Sequence, residues 1–134
     1  MADQKDKVID RLENLHKNLD TGLTRDRYFE MQEQMGVPPR SEDVPPDWED
    51  FPDIVVDAVN TFNQLGDRAY PDIGYIGKDY TNLPLFLDLY GISDTEFFIH
   101  ILTWLDSRAI KKSQERLKRE HDKLKRTNTR GKHN

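Results

Sequence analysis

Large apolar residues are spread unevenly along this 134-residue chain, and their densest run is 83–105, LPLFLDLYGISDTEFFIHILTWL. Leu83, Phe86, Leu87 and Tyr90 recur at helical spacing until Gly91 interrupts them. Ser93 and Glu96 have the S-x-x-E spacing of a capping box, which predicts a second helix starting at Ser93. On that helix Phe97, Phe98, Ile101, Leu102, Trp104 and Leu105 span too wide an arc for one solvent-facing stripe. The helical hairpin therefore needs cover from the rest of the chain.

Upstream, Val8, Leu12, Leu15 and Leu19 form a single apolar stripe that predicts an amphipathic helix over 4–20, closed by Thr21-Gly22. This helix either completes the core or docks onto a partner. Thr24 is placed to cap a short helix over 25–35, with Tyr28, Met31 and Met35 on one face and Gly36 as its stop. Residues 36–50, GVPPRSEDVPPDWED, hold four prolines, which fix φ and withhold donors, so an extended connector is expected. Trp48 and Phe51 then read as a staple for the next helix. Pro52 suits that helix's first turn, and Val55, Ala58, Val59, Phe62 and Leu65 form its apolar face.

Residues 66–82, GDRAYPDIGYIGKDYTN, read as a loop with three glycines and three tyrosines, either packed as an Ω-type loop or offered as a recognition surface. Gly74 to Lys78 superficially suggests a phosphate loop, but the spacing is not that of a Walker motif and no strand is expected before it. Arg68 and Lys78, isolated cations in this region, are expected to pair with nearby aspartates. Beyond Leu105, residues 106–126 continue a helical pattern without a breaker, with Ile110, Leu117 and Leu124 seven apart in a thin seam. The helix from Ser93 is expected to run on into this segment and project from the body, and 127–134 to fray.

Charge sharpens this division. Residues 1–106 carry 9 Lys/Arg against 22 Asp/Glu, whereas 107–134 carry 11 against 3. An acidic body repels nucleic acid, while the basic tail can meet phosphate through salt-sensitive contacts. There is no cysteine, so disulfides and thiolate chemistry are excluded. His16, His100, His121 and His133 lack metal-site spacing, and no serine lies in a nucleophile-elbow context, so no cofactor, metal or catalytic residue is expected. The turn at Gly91-Ile92-Ser93 has a helix-turn-helix look, but an acidic, aromatic first turn (Asp94, Glu96, Phe97, Phe98) argues against groove reading. No apolar run is long enough for a membrane span, so a cytoplasmic protein is expected.

Trp48 and Phe51, Leu65 and Arg68, Gly74 and Gly77, Leu83, Tyr90-Gly91-Ile92, Phe97 and Leu105-Asp106 form a pattern that resembles the small tail-assembly chaperones of tailed bacteriophages. The resemblance covers under half of the chain. It implies a phage protein, in host cytoplasm, that engages a tape-measure protein or another tail or baseplate component during assembly. It carries over no catalytic residue.

The expectation is an all-α fold of about four to five helices, with the 83–105 hairpin packed on the 52–65 helix. An acidic helical domain over 1–106 would be followed by a basic helical extension over 107–134. The expected function is non-enzymatic binding of a virion or tape-measure protein, with Trp48, Tyr70, Tyr75 and Tyr80 as the protein-binding aromatics. Lys111, Lys112, Arg116, Lys118, Arg119, Lys123, Lys125 and Arg126 form an electrostatic face, or else simply solvate the helix. The alternative is a nucleic-acid-associated regulatory protein that binds phosphates through this face. The sequence sets no oligomeric state.

Overall fold

The computed structural model describes residues 2–131. It is mostly helical, with α1 (Ala2–Thr21), α2 (Arg25–Met35), α3 (Asp53–Gln64), α4 (Leu83–Leu89) and α5 (Thr95–Gly131). A single 3₁₀ turn (Trp48–Asp50) precedes α3, and strands β1 (Asp67–Tyr70) and β2 (Gly74–Lys78) lie between α3 and α4. Five helices and one small hairpin meet the all-α expectation. The chain forms two compact units, Met1–Val56 and Asp57–Asn134, and the boundary falls inside α3.

In the first unit, α1 buries Leu12 and Leu15 from its apolar stripe, and Phe51 and Val55 are buried as well. Thr24 caps α2, its hydroxyl accepting from the Arg27 N–H at 3.3 Å, and Gly36 closes the helix in the left-handed region. No side chain of α2 is buried. Instead, the helix holds the proline-rich connector: Arg25 donates to the Pro45 carbonyl at 3.1 Å, to Glu49 at 2.9 Å and to Asp50. The Arg40 N–H donates to the Tyr28 hydroxyl at 3.3 Å. Asp47 and Asp50 close a capping box around the 3₁₀ turn, which sets Trp48 5.9 Å from the Phe51 ring.

In the second unit the buried residues include Ala58, Thr61 and Leu65 from around α3 and Phe97, Phe98, Ile101, Leu102 and Leu105 from α5. The predicted wide apolar arc is thus real on the second helix of the hairpin. The first helix differs: α4 buries nothing, and Leu85 and Leu89 are 65 % and 68 % exposed. The start of α5 also differs from the sequence reading. Asp94, not Ser93, accepts from the Phe97 N–H at 3.1 Å, and its charge additionally favours the positive end of the helix.

Residues 66–82 are not a loop throughout. β1 and β2 pair antiparallel, Asp67 with Lys78, Arg68 with Gly77, Ala69 with Tyr75 and Tyr70 with Gly74. Ile76 is the extra residue of a bulge at this shift of register. The strands escaped the sequence reading because β1 is exposed along its whole length and so lacks an apolar alternation.

Helix α5 crosses residues 106 and 107 without interruption and continues to Gly131, past the fray expected from Thr127. The expected extension is also not free from residue 107 onward, because Ser113 is buried and β2 packs against this helix. His133 lies outside the described residues.

Candidate protein-docking groove

The centre of the second unit is Asp106, an aspartate in phase with the apolar stripe of α5 and only 7 % exposed. A carboxylate so placed costs several kcal/mol unless donors replace its water, on the order of the penalty for any buried ion. The hairpin supplies them. Tyr75 and Tyr80 donate their hydroxyls at 2.5 and 2.6 Å, and the Lys78 backbone N–H donates at 3.1 Å. Burial pushes the Asp106 carboxyl up, but the two tyrosines, the Lys78 N–H and the Lys78 charge outweigh it and hold the group below its ordinary value. The same burial, followed by the hydrogen bond to Asp106 and then its charge, raises both phenols above their ordinary value of 10.0.

Two glycines let the hairpin come this close. At Gly77, φ is +131°, and a Cβ would stand 3.2 Å from Arg68 Nη2 and 3.3 Å from Asp106 Oδ2. At Gly74, φ is +81°, and a Cβ would stand 2.7 Å from Leu117 Cδ1 and 3.0 Å from Ser113 Oγ. Ser113 accepts from the Tyr75 N–H at 3.2 Å. Asp106, Ser113 and Leu117 are spaced seven and four apart, so one face of α5 carries the whole contact.

Lys78 ties the other edge. Its ammonium donates to Asp67 at 2.6 Å and to the Leu65 carbonyl at 3.3 Å, and sits 4.5 Å over the Phe62 ring. The Asp79 N–H donates to the Gly66 carbonyl at 2.8 Å. The expected pairing of Lys78 with an aspartate is therefore present. Among the described residues, every buried side-chain nitrogen and oxygen has a partner.

Beside this clasp runs an open groove of about 350 Å³. Its floor is one stripe of α5, including Ile99, Leu102, Thr103, Ser107 and Ile110, and its walls include Leu83 of α4 and Ile76 and Arg68 of the hairpin. The bulge gives Ile76 to this wall, since an extra residue in a strand redirects its side chain. Ile99 is 45 % exposed and Tyr80 37 %, so apolar surface faces solvent here.

The four predicted aromatics do not form one site. Tyr75 and Tyr80 meet at Asp106, with their hydroxyls engaged, and Tyr80 also lines the groove. Tyr70 ends β1 and is 54 % exposed. Trp48 belongs to the first unit, half-buried, its ring edge-on to His16 at 5.8 Å. Lys111, Lys112, Arg116, Lys118, Arg119, Lys123, Lys125 and Arg126 are all exposed along α5.

Comparison with protein-family models, curated proteins and solved structures finds no match. The groove therefore stands on its own geometry. Asp106, Ser113 and Ile76 were not singled out as site residues. A signal for Asp106 existed: a carboxylate between Leu102 and Ile110 on a buried stripe requires donors, and three tyrosines lie upstream. Among the described residues, no group of three or more His, Asp or Glu is arranged to hold a metal ion, and no helix is long and apolar enough to cross a membrane.

Proposed function

We propose that the chain is a non-enzymatic protein-binding module, and that it serves as a tail or baseplate assembly factor of a tailed bacteriophage, the setting implied by its resemblance to small tail-assembly chaperones. One observation supports the binding reading above the others. Tyr75, Tyr80 and the Lys78 N–H satisfy the Asp106 carboxylate, and beside this clasp lies a mostly apolar groove with Ile99 and Tyr80 at its surface. A groove floored by one helix, with mostly apolar surface, favours an apolar segment of another protein. In the phage setting this segment belongs to the tape-measure protein or to another tail component.

Capture from a lysate of infected host cells tests the reading. The immobilised full chain should retain a virion protein, and Ile76→Asp, at the groove wall, should lower recovery at least tenfold. Equal recovery by that variant contradicts the use of the groove. The second reading draws on the exposed basic side chains of α5. It predicts recovery of nucleic acid alone, lost when salt is raised to a few tenths molar.

A further inference from the structure

We propose that the groove of one copy receives helix α2 of a second copy, so that the chain associates with itself head to tail. This rests on the protein-binding reading of the groove and names one occupant for it.

The first ground is α2 itself. It has eleven residues and no buried side chain, while Met31, Met35 and, just beyond it, Val37 are 43 %, 60 % and 50 % exposed. Met31 and Met35 stand at i, i+4 and form one ridge, and methionine adapts its shape to an apolar surface. A helix of this length gains most of its stability from packing, and its own unit covers only the side bearing Arg25, Tyr28 and Gln32, leaving the Met31–Met35 ridge open.

The second ground is fit. At 1.5 Å per residue α2 is roughly 16 Å long. The floor of the groove, from Ile99 to Ile110, covers a similar span of roughly 16 Å on α5. A helix laid in a groove through anchors one turn apart is a recurrent mode of recognition.

The third ground is charge. Residues 25–50, which contain α2 and its connector, carry 3 Lys/Arg against 8 Asp/Glu. Arg68 lines the groove, and residues 107–126, which begin at its Ile110 end, carry 9 Lys/Arg against 3 Asp/Glu. The acidic connector of one copy thus meets the basic stretch of the next. Helix and groove are different surfaces of the chain, so the contact is heterologous and builds rings or open rows.

Sedimentation of the full chain from about 1 to 500 μM suits a contact of this small size. The average mass should rise past that of a dimer with concentration, and fall back in about 0.5 M salt. Two surface variants divide the contact: Met31→Glu with Met35→Glu removes the ridge, and Ile99→Glu spoils the groove. Each alone should stop at the monomer, with an unchanged circular dichroism spectrum. Mixed one to one, they should form a dimer and nothing larger, because each retains the half the other lacks.

A wild-type chain that stays monomeric over this range overturns the proposal, and so does a mixture that fails to pair. If that monomer still captures another protein in a manner lost in Ile76→Asp, this inference falls while the binding function stands. Association that survives both variants but is lost on removing residues 118–134 would place the contact on the basic rod, and overturns it too.

Discussion

Between Phe97 and Leu105 helix α5 buries five large apolar side chains, whereas from Lys118 to Arg126 every side chain of the same helix is exposed. Between these stretches lie Asp106, Ser113 and Leu117, the points at which the hairpin closes on the helix. One continuous backbone therefore serves as core, as one jaw of a clasp and as a solvent-exposed rod in succession. Helical propensity does not distinguish the three parts; what each turn meets does. The sharp charge change near residue 107 precedes the true change in packing, which comes after Leu117.

Substitutions along α5 should reproduce this gradient. The largest loss belongs to Phe98→Ala, at a fully buried position, with about 4 kcal/mol expected in denaturant unfolding. Asp106→Ala should follow with about 3 kcal/mol, since it leaves two hydroxyls and one N–H without their charged acceptor. Tyr75→Phe and Tyr80→Phe should each cost about 1 kcal/mol, and much less when Asp106 is already Ala; additive losses would dissolve the clasp as a unit. Gly74→Ala should cost about 2 kcal/mol, for a left-handed backbone and a collision with Leu117. At the far end, Leu124→Ala should change stability by less than about 0.5 kcal/mol, because Leu124 is 62 % exposed. A loss of 2 kcal/mol there would mean that the rod is packed.

The clasp should also be visible in pH. The Asp106 carboxyl is held below its ordinary 3.8, so the unfolded chain takes up this proton first. Its contribution is present above about pH 4 and is lost as pH falls through the lowered value. Tyr75 and Tyr80 are raised above 10.0, so the unfolded chain releases these protons first. Their contribution is complete below about pH 10 and declines above it. Chemical unfolding from pH 8 to 11 should show this decline, and the double Tyr→Phe variant should flatten it.

The helices were legible because their signals are local. Thr24 and Gly36 delimit α2 as residue chemistry alone predicts, and the wide arc from Phe97 to Leu105 marks the core of α5. Ser93 misled by a single residue because Asp94, a second good cap, follows it. The hairpin was harder. Its stability comes from Asp106, which lies 28 residues beyond Lys78, and from a helix face that no window around Tyr75 contains. The same distance hid the groove, whose lining comes from β1, β2, α4 and α5. Tyr75 and Tyr80, expected on a binding surface, turn their hydroxyls inward to Asp106, whose phase with Leu102 and Ile110 was the one local sign of a buried charge.

Native-state amide hydrogen exchange measures the division of α5 and its closure by the hairpin in one experiment. The amides of Tyr75 and Lys78, which donate to Ser113 and Asp106, should exchange as slowly as those of residues 98–105, and residues 118–126 should exchange orders of magnitude faster. Rapid exchange at Tyr75 and Lys78, alongside slow exchange in the rod, would contradict both the clasp and the division of α5.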